Sequence, residues 1–134
     1  MNNKMRQEKF LDKKDTEAMF GLYQLKRESR LRDYAFTNFE TLTESGKKVK
    51  RDNYNLIYAA PLTDGYSLDH IYTEFNISHP ADFTGHSLSV SDVIVLKQGD
   101  NQYSAYFVDS FDFEKIPDFM PETGRQRRQS GAEM

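Results

Sequence analysis

VSDVIVLK, residues 90–97, and QYSAYFVD, residues 102–109, are two strand-like runs separated by only Gln98, Gly99, Asp100 and Asn101. A connection this short joins antiparallel neighbours, because a parallel pair needs a crossover of about a dozen residues or more. A lone hairpin is marginal in water, so the rest of the chain has to supply more strands and a cover for them. FGLYQLK, residues 20–26, is one such strand, with Phe20, Leu22 and Gln24 facing one way and Tyr23 and Leu25 the other. NLIYAAPL, residues 55–62, is almost continuously apolar and is stopped by Pro61 and the Asp64-Gly65 turn, which predicts a central strand buried on both faces. FDFEKI, residues 111–116, predicts a last strand that packs Phe111, Phe113 and Ile116 and solvates its acids.

Two helices are legible. In SLDHIYTEFN, Leu68, Ile71, Tyr72 and Phe75 follow the i, i+3, i+4, i+7 rule, and Ser67 stands where a cap is needed. Phe39 and Leu42 form a shorter stripe between a capping Asn38 and a terminating Gly46. A short extended piece is expected around Tyr34 and Phe36. Together these elements predict a single α+β domain, an antiparallel or mixed sheet with two short helices on one face, and flexible charged termini. Residues 1–18 are expected to be a charged N-terminal arm, 19–120 the domain, and 121–134 a C-terminal tail.

Composition narrows the chemistry. There is no cysteine, hence no disulfide, thiolate metal site or cysteine nucleophile. No apolar run approaches the ~20 residues that span a bilayer, and MNNKMRQEKFLDKKDTEAMF lacks a hydrophobic leader, so a cytoplasmic protein without membrane contact is expected. Charge is divided: residues 1–32 hold nine Lys or Arg against five acids, whereas residues 33–120 hold six against fourteen. A nucleic-acid binder concentrates cations on its folded surface. Here they are expected mainly in the arms.

HPADFTGHSLSVSDVIVL, residues 79–96, raises the question of an active site. His79, Asp82 and His86 are metal-type ligands, but Pro80 and Gly85 mark a turning segment and do not set the histidines one helical turn apart. The reading preferred here is structural: Asp82 accepting backbone N–H bonds in an Asx-type turn, Gly85 at positive φ, and His86 tying the loop to a carbonyl. Ser87, Ser89 and Ser91 lie near His86 and Asp92, yet they alternate with Leu88 and Val90, as outward positions of a half-buried strand do. Asp109, Asp112, Glu114 and Asp118 are oxygen ligands of the kind Mg2+ prefers, but their alternation with aromatic residues predicts a solvated face. Walker, dinucleotide-glycine and HExxH motifs are absent. Neither a cofactor nor a bound metal is therefore expected. The enzymatic alternative is a small metal-dependent nuclease or hydrolase using His86 with Asp92 or Asp109.

YQLKRESRLRDYAF, NYNLIYAAPL, SLDHIYTEFNISHPADFTGHSLSVSDVIVL and YFVDSFDFEKIPDF, in this order and spacing, resemble the YodL-like domain from about Phe20 to Met120. Asp112 stands where the resemblance leads one to expect a turn glycine. The resemblance implies a module of conjugative and other mobile elements, with no catalytic residues to carry over. It further implies a non-catalytic interaction protein of the anti-defence kind, acting on a host CRISPR effector or restriction nuclease. An acidic face suits the basic groove of such a nuclease. Arg30, Arg32, Asp82, Asp109, Asp112 and Glu114 are the candidate partner-binding residues. Arg125, Arg127 and Arg128 of the tail are candidates for a minor nucleic-acid contact. The non-enzymatic alternative is a scaffold for conjugation proteins or host structural proteins.

Overall fold

Side chains alternate along a strand, and in β1 (Met19–Leu25) both sets require cover. Met19, Tyr23 and Leu25 belong to one apolar cluster, Phe20 and Leu22 to another. The sheet built around this strand is therefore buried on both sides. In the computed structural model, which describes residues 1–98 and 102–120, the chain runs α1 (Asn3–Leu11), β1, α2 (Phe39–Glu44), β2 (Tyr54–Pro61), α3 (Leu68–Ile77), β3 (Val93–Gln98), β4 (Gln102–Val108) and β5 (Phe113–Lys115). The five strands lie in the order β2-β1-β3-β4-β5, and every neighbouring pair is antiparallel. This is the expected single α+β domain. The turn anticipated at 99–101 and the tail at 121–134 lie outside the described residues.

The helix caps follow the sequence. Asn38 accepts the amide of Thr41 at 2.8 Å, and Ser67 accepts that of His70 at 3.3 Å. Gly46 closes α2 with φ +77°, a conformation that costs a side chain-bearing residue about 1 kcal/mol. Ile71 and Phe75 of α3 are buried beneath Phe20, Leu22, Tyr58 and Ile94. Leu42 and Phe39 of α2 pack on the opposite side, with the Phe39 and Phe107 rings 5.4 Å apart. The two helices expected on one face thus sit on opposite faces, because β1 and β3 are apolar on both.

Three further expectations are corrected. NLIYAAPL is an edge strand, β2, and not a central one. Its second apolar face and its free edge are covered by α1, the segment expected to be a flexible arm. Phe10 of α1 is fully buried, lies edge-on to Tyr103 at 5.4 Å, and fills the space over Gly21. Asn3 does for the edge what another strand would: its carboxamide donates to Ile57 O at 3.0 Å and accepts from Ala59 N at 3.1 Å. Lys97 is buried under the end of α1, where its ammonium donates to Lys9 O and Asp12 O at 3.0 and 2.9 Å, a second bond for carbonyls that already accept Asp12 N and Asp15 N. Finally, Tyr34 to Phe36 form turns where an extended piece was expected.

Candidate functional site

The C-terminal ends of β1 and β4 and the N-terminal ends of β2, β3 and β5 meet at one end of the sheet. The loops there carry most of the candidate residues.

The segment after α3 is a strap across the sheet. Phe83 and Leu88 are its buried anchors: Phe83 packs edge-on to Phe75 and Tyr58 at 5.1 and 5.7 Å, and Leu88 N donates to Phe75 O at 3.0 Å. Gly85 is needed for proximity and has no positive φ, contrary to expectation. A Cβ there would lie 2.5 Å from both Gln24 Oε1 and Ile57 Cδ1. Asp82 does not close a turn on the loop either. It bridges to the N-terminal helix, accepting from Arg6 Nη2 at 2.6 Å and Tyr58 Oη at 3.1 Å, and the guanidinium holds its carboxyl below the usual range. His79 lies against Phe83 with the rings tilted and 5.1 Å apart, and is exposed. His79, Asp82 and His86 are therefore not brought together, and no group of three His, Asp or Glu side chains with metal-site geometry occurs among the described residues.

Where the strap enters β3 the geometry tightens. Asp92 is only 2% exposed, and its Oδ2 accepts from Gln24 Nε2 at 3.1 Å and Ser89 N at 3.0 Å. Burial favours the uncharged carboxyl over these hydrogen bonds, and the pKa is pushed up to about 7. Gln24, buried in β1, also donates to His86 O at 2.8 Å, so one carboxamide from the sheet holds both ends of the loop. His86 Nε2 lies 3.9 Å from Asp92 Oδ1, and its Nδ1 donates to Ser87 O at 2.8 Å. That is the loop-tying role expected of it.

Ser91 was expected to point outward and is buried. Its backbone has φ +85°, and the pairing partner across the gap, Phe36, has φ +58°. Neither is glycine, and each is held by its surroundings: Phe36 N donates to Ser91 Oγ at 3.1 Å, Ser91 N to Val108 O at 2.9 Å, and Tyr54 Oη to Ser91 O at 2.7 Å. Backbone held in such regions costs on the order of 1–3 kcal/mol per residue and collects at functional sites. The serine-nucleophile reading fails on geometry. Ser91 Oγ is occupied by a backbone amide, Ser89 Oγ has no partner, and His86 hydrogen-bonds a carbonyl and no serine hydroxyl among the described residues.

Over this floor opens a pocket of about 400 Å3, walled by residues 25–29, 31, 32, 35 and 36 and by His86, Ser91 and Asp92. Arg32 lines it. Arg30, the other arginine singled out, is tied back to Glu28 at 2.8 Å and to Asn53 Oδ1 at 3.2 Å. Lys26, taken from the sequence as the last residue of the first strand, and Arg27, not singled out there, line the same wall. The signal available was the run KRESRLR directly after a strand end. Phe36, 69% exposed, leans on His86 with ring centroids 6.2 Å apart.

Beside the pocket is the β4–β5 turn. Asp109 Oδ1 accepts from Ser110 N at 2.9 Å and Phe39 N at 3.2 Å, and Asp109 N donates to Asp112 O at 2.9 Å. Asp109 is thus a turn residue and is not assembled with His86 into a catalytic group. Asp112 needs no glycine, since its φ is not positive. Asp112 and Glu114 are exposed, and so, contrary to expectation, is Phe111, at 99%. Asp82 lies away from these acids on the α1 side. Arg125, Arg127 and Arg128 lie outside the described residues. No helix among the described residues is long and apolar enough to cross a membrane.

A family model described as YodL-like domain matches residues 19–119. No curated protein and no solved structure matches the chain. The matched stretch takes in all five strands, α2, α3 and the loop end, and leaves α1 outside; the chain belongs to the YodL-like domain family.

Proposed function

From this family membership and the geometry of the loop end, we propose that the domain is a protein-interaction module that binds without turnover and presents the β4–β5 turn to its partner. The observation that carries the reading is Phe111, 99% exposed on a turn pinned by three hydrogen bonds. An aromatic ring left fully in water on a pinned turn gains by entering a pocket on another surface, and the backbone that carries it is already ordered. Its neighbours Asp112 and Glu114 are exposed acids, which favours a basic surface around that pocket. The nucleic-acid channel of a host CRISPR effector or restriction nuclease has that chemistry, in keeping with the mobile-element setting implied by the family. Binding there would block loading of nucleic acid.

The test is capture with the tagged full chain from a host strain carrying its defence systems, beside Phe111→Ser and Asp112→Lys with Glu114→Lys. Recovery of a nuclease by the unaltered chain, its activity lowered in vitro, with both losses in the variants and weakening at raised salt, supports the reading. Recovery only of conjugation or structural proteins, with nuclease activity untouched, replaces the inhibitor by a scaffold. Metal-dependent cleavage of DNA or RNA that disappears in His86→Ala would overturn the non-catalytic reading.

A further inference from the structure

The pocket between the loop that follows β1 and the strap has a charge that the chain as a whole does not, since its lining takes in Lys26, Arg27 and Arg32 but not Asp33. Lys26, Arg27 and Arg32 all line it, and none has an ion-pair partner among the described residues. The one glutamate in the wall, Glu28, is paired with Arg30. Asp92 at the floor is withdrawn from solvent and bonded to Gln24 and Ser89 N, so it does not neutralise the three cations as a surface carboxylate would. In a chain of net charge −3, a concave surface with three unpaired cations is a selective feature.

A flat aromatic face stands beside them. Phe36 lines the pocket, is 69% exposed, and is fixed in place by the Phe36 N to Ser91 Oγ bond and by His86 behind its ring. Cations that meet phosphate and an open ring on which a base can stack are the two elements of sequence-tolerant recognition of single-stranded nucleic acid. The volume, about 400 Å3, falls within the range of ~300–1,000 Å3 usual for small-molecule sites. An acidic peptide of polar side chains alone would meet the cations and leave the ring uncovered.

We infer that this pocket binds a nucleoside phosphate, with Lys26, Arg27 and Arg32 on the phosphate and the base stacked on Phe36. The ligand is either a free nucleotide or one nucleotide of a single strand. The inference stands on the pocket alone and does not require the protein partner proposed above.

The test uses isotope-labelled full chain titrated with adenosine monophosphate, a short single-stranded oligodeoxythymidylate and inorganic phosphate, followed through amide shifts. Expected are saturable shifts confined to residues 26–36 and 86–92 with one or both nucleotide probes. Their affinity should fall as salt rises. Arg27→Glu with Arg32→Glu, both exposed positions, should weaken binding by roughly ten-fold or more, the loss of charge-assisted contacts. Phe36→Asn removes the ring while keeping a side chain that tolerates positive φ, and should weaken binding by about five-fold or more. Lys47→Glu with Lys48→Glu makes the same charge change elsewhere and should have no such effect. A mononucleotide binding as well as the oligonucleotide identifies the free ligand, and binding of the oligonucleotide only identifies a strand. The inference is overturned by an absence of saturable shifts, by equal losses in both charge variants, or by inorganic phosphate competing as well as the nucleotide.

Discussion

Phe10→Ala decides whether the N-terminal segment is an arm or part of the fold. Phe10 is fully buried, and truncating a buried phenylalanine costs about 3–5 kcal/mol, of which ~2–3 is transfer from water and the remainder the cavity left behind. A second substitution gives the experiment a sign. A Cβ at Gly21 would lie 2.8 and 2.9 Å from two ring carbons of Phe10 and 3.0 Å from Leu56 Cδ1. Tyr103 stands at the other edge of the ring, 5.4 Å between centroids, and its hydroxyl donates to Phe10 O at 2.6 Å. The ring cannot retreat freely. Gly21→Ala should therefore destabilise the unaltered chain by about 1–3 kcal/mol. In the Phe10→Ala background the methyl enters emptied space, and replacing a strand glycine by alanine then favours the fold by up to about 1 kcal/mol. The cycle should show a coupling of roughly 2 kcal/mol or more between the two sites. Urea unfolding, followed by circular dichroism and tyrosine fluorescence on the four proteins, measures each value. A Phe10→Ala loss below about 1 kcal/mol, or a Gly21→Ala cost equal in both backgrounds, would refute the docking of α1 over β1.

Two further substitutions test the buried charged groups. The Asp92 carboxyl has a folded pKa raised from 3.8 to about 7. Its contribution is thus fully present below 3.8 and lost as pH rises through about 7, and stability should fall over that interval. The shift sets a ceiling of ~4 kcal/mol. Asp92→Asn, which keeps an acceptor for Gln24 and Ser89 N, should flatten the profile and be the more stable form above neutrality by on the order of 2 kcal/mol, measured by urea unfolding across pH. A profile unchanged by the substitution would exclude Asp92 as its source. Lys97→Met retains the packed stem and removes the two charge-assisted bonds that tie Lys9 O and Asp12 O to β3. It should cost about 1–3 kcal/mol at neutral pH and speed amide hydrogen exchange in α1 before that of the sheet. Exchange in α1 as slow as in the unaltered chain would contradict the clamp.

Local pattern was sufficient for the elements whose cause is local. The stripe Leu68, Ile71, Tyr72, Phe75 makes α3 whatever lies around it, Asn38 and Ser67 cap because their oxygens reach amides three residues on, and the shortness of the connection fixes β3 and β4 as antiparallel neighbours. His86 as a loop tie was legible for the same reason, since its acceptor is the next residue's carbonyl. The single α+β domain follows from those elements together.

Tertiary structure decided where surfaces met. The apolar run of β2 is the same whether its second face lies inside a sheet or under a helix, and only the docking of α1 made it an edge. Little in α1 announces that role: Phe10 is its one buried residue, and the other side chains with which it grips the sheet edge are Asn3 and Arg6, polar groups whose partners Ile57, Ala59 and Asp82 lie more than fifty residues away. Phe111 fits the alternation of a packed strand, yet the turn pinned by Asp109 carries it into solvent. The pocket has the same origin. Lys26, Arg27 and Phe36 come from one loop, His86 and Ser91 from another, and the pairing of β1 with β3 sets them side by side. Periodicity and capping act over a few residues, and so they are written in the sequence. A site made by two loops depends on strand order, which short-range interactions do not specify.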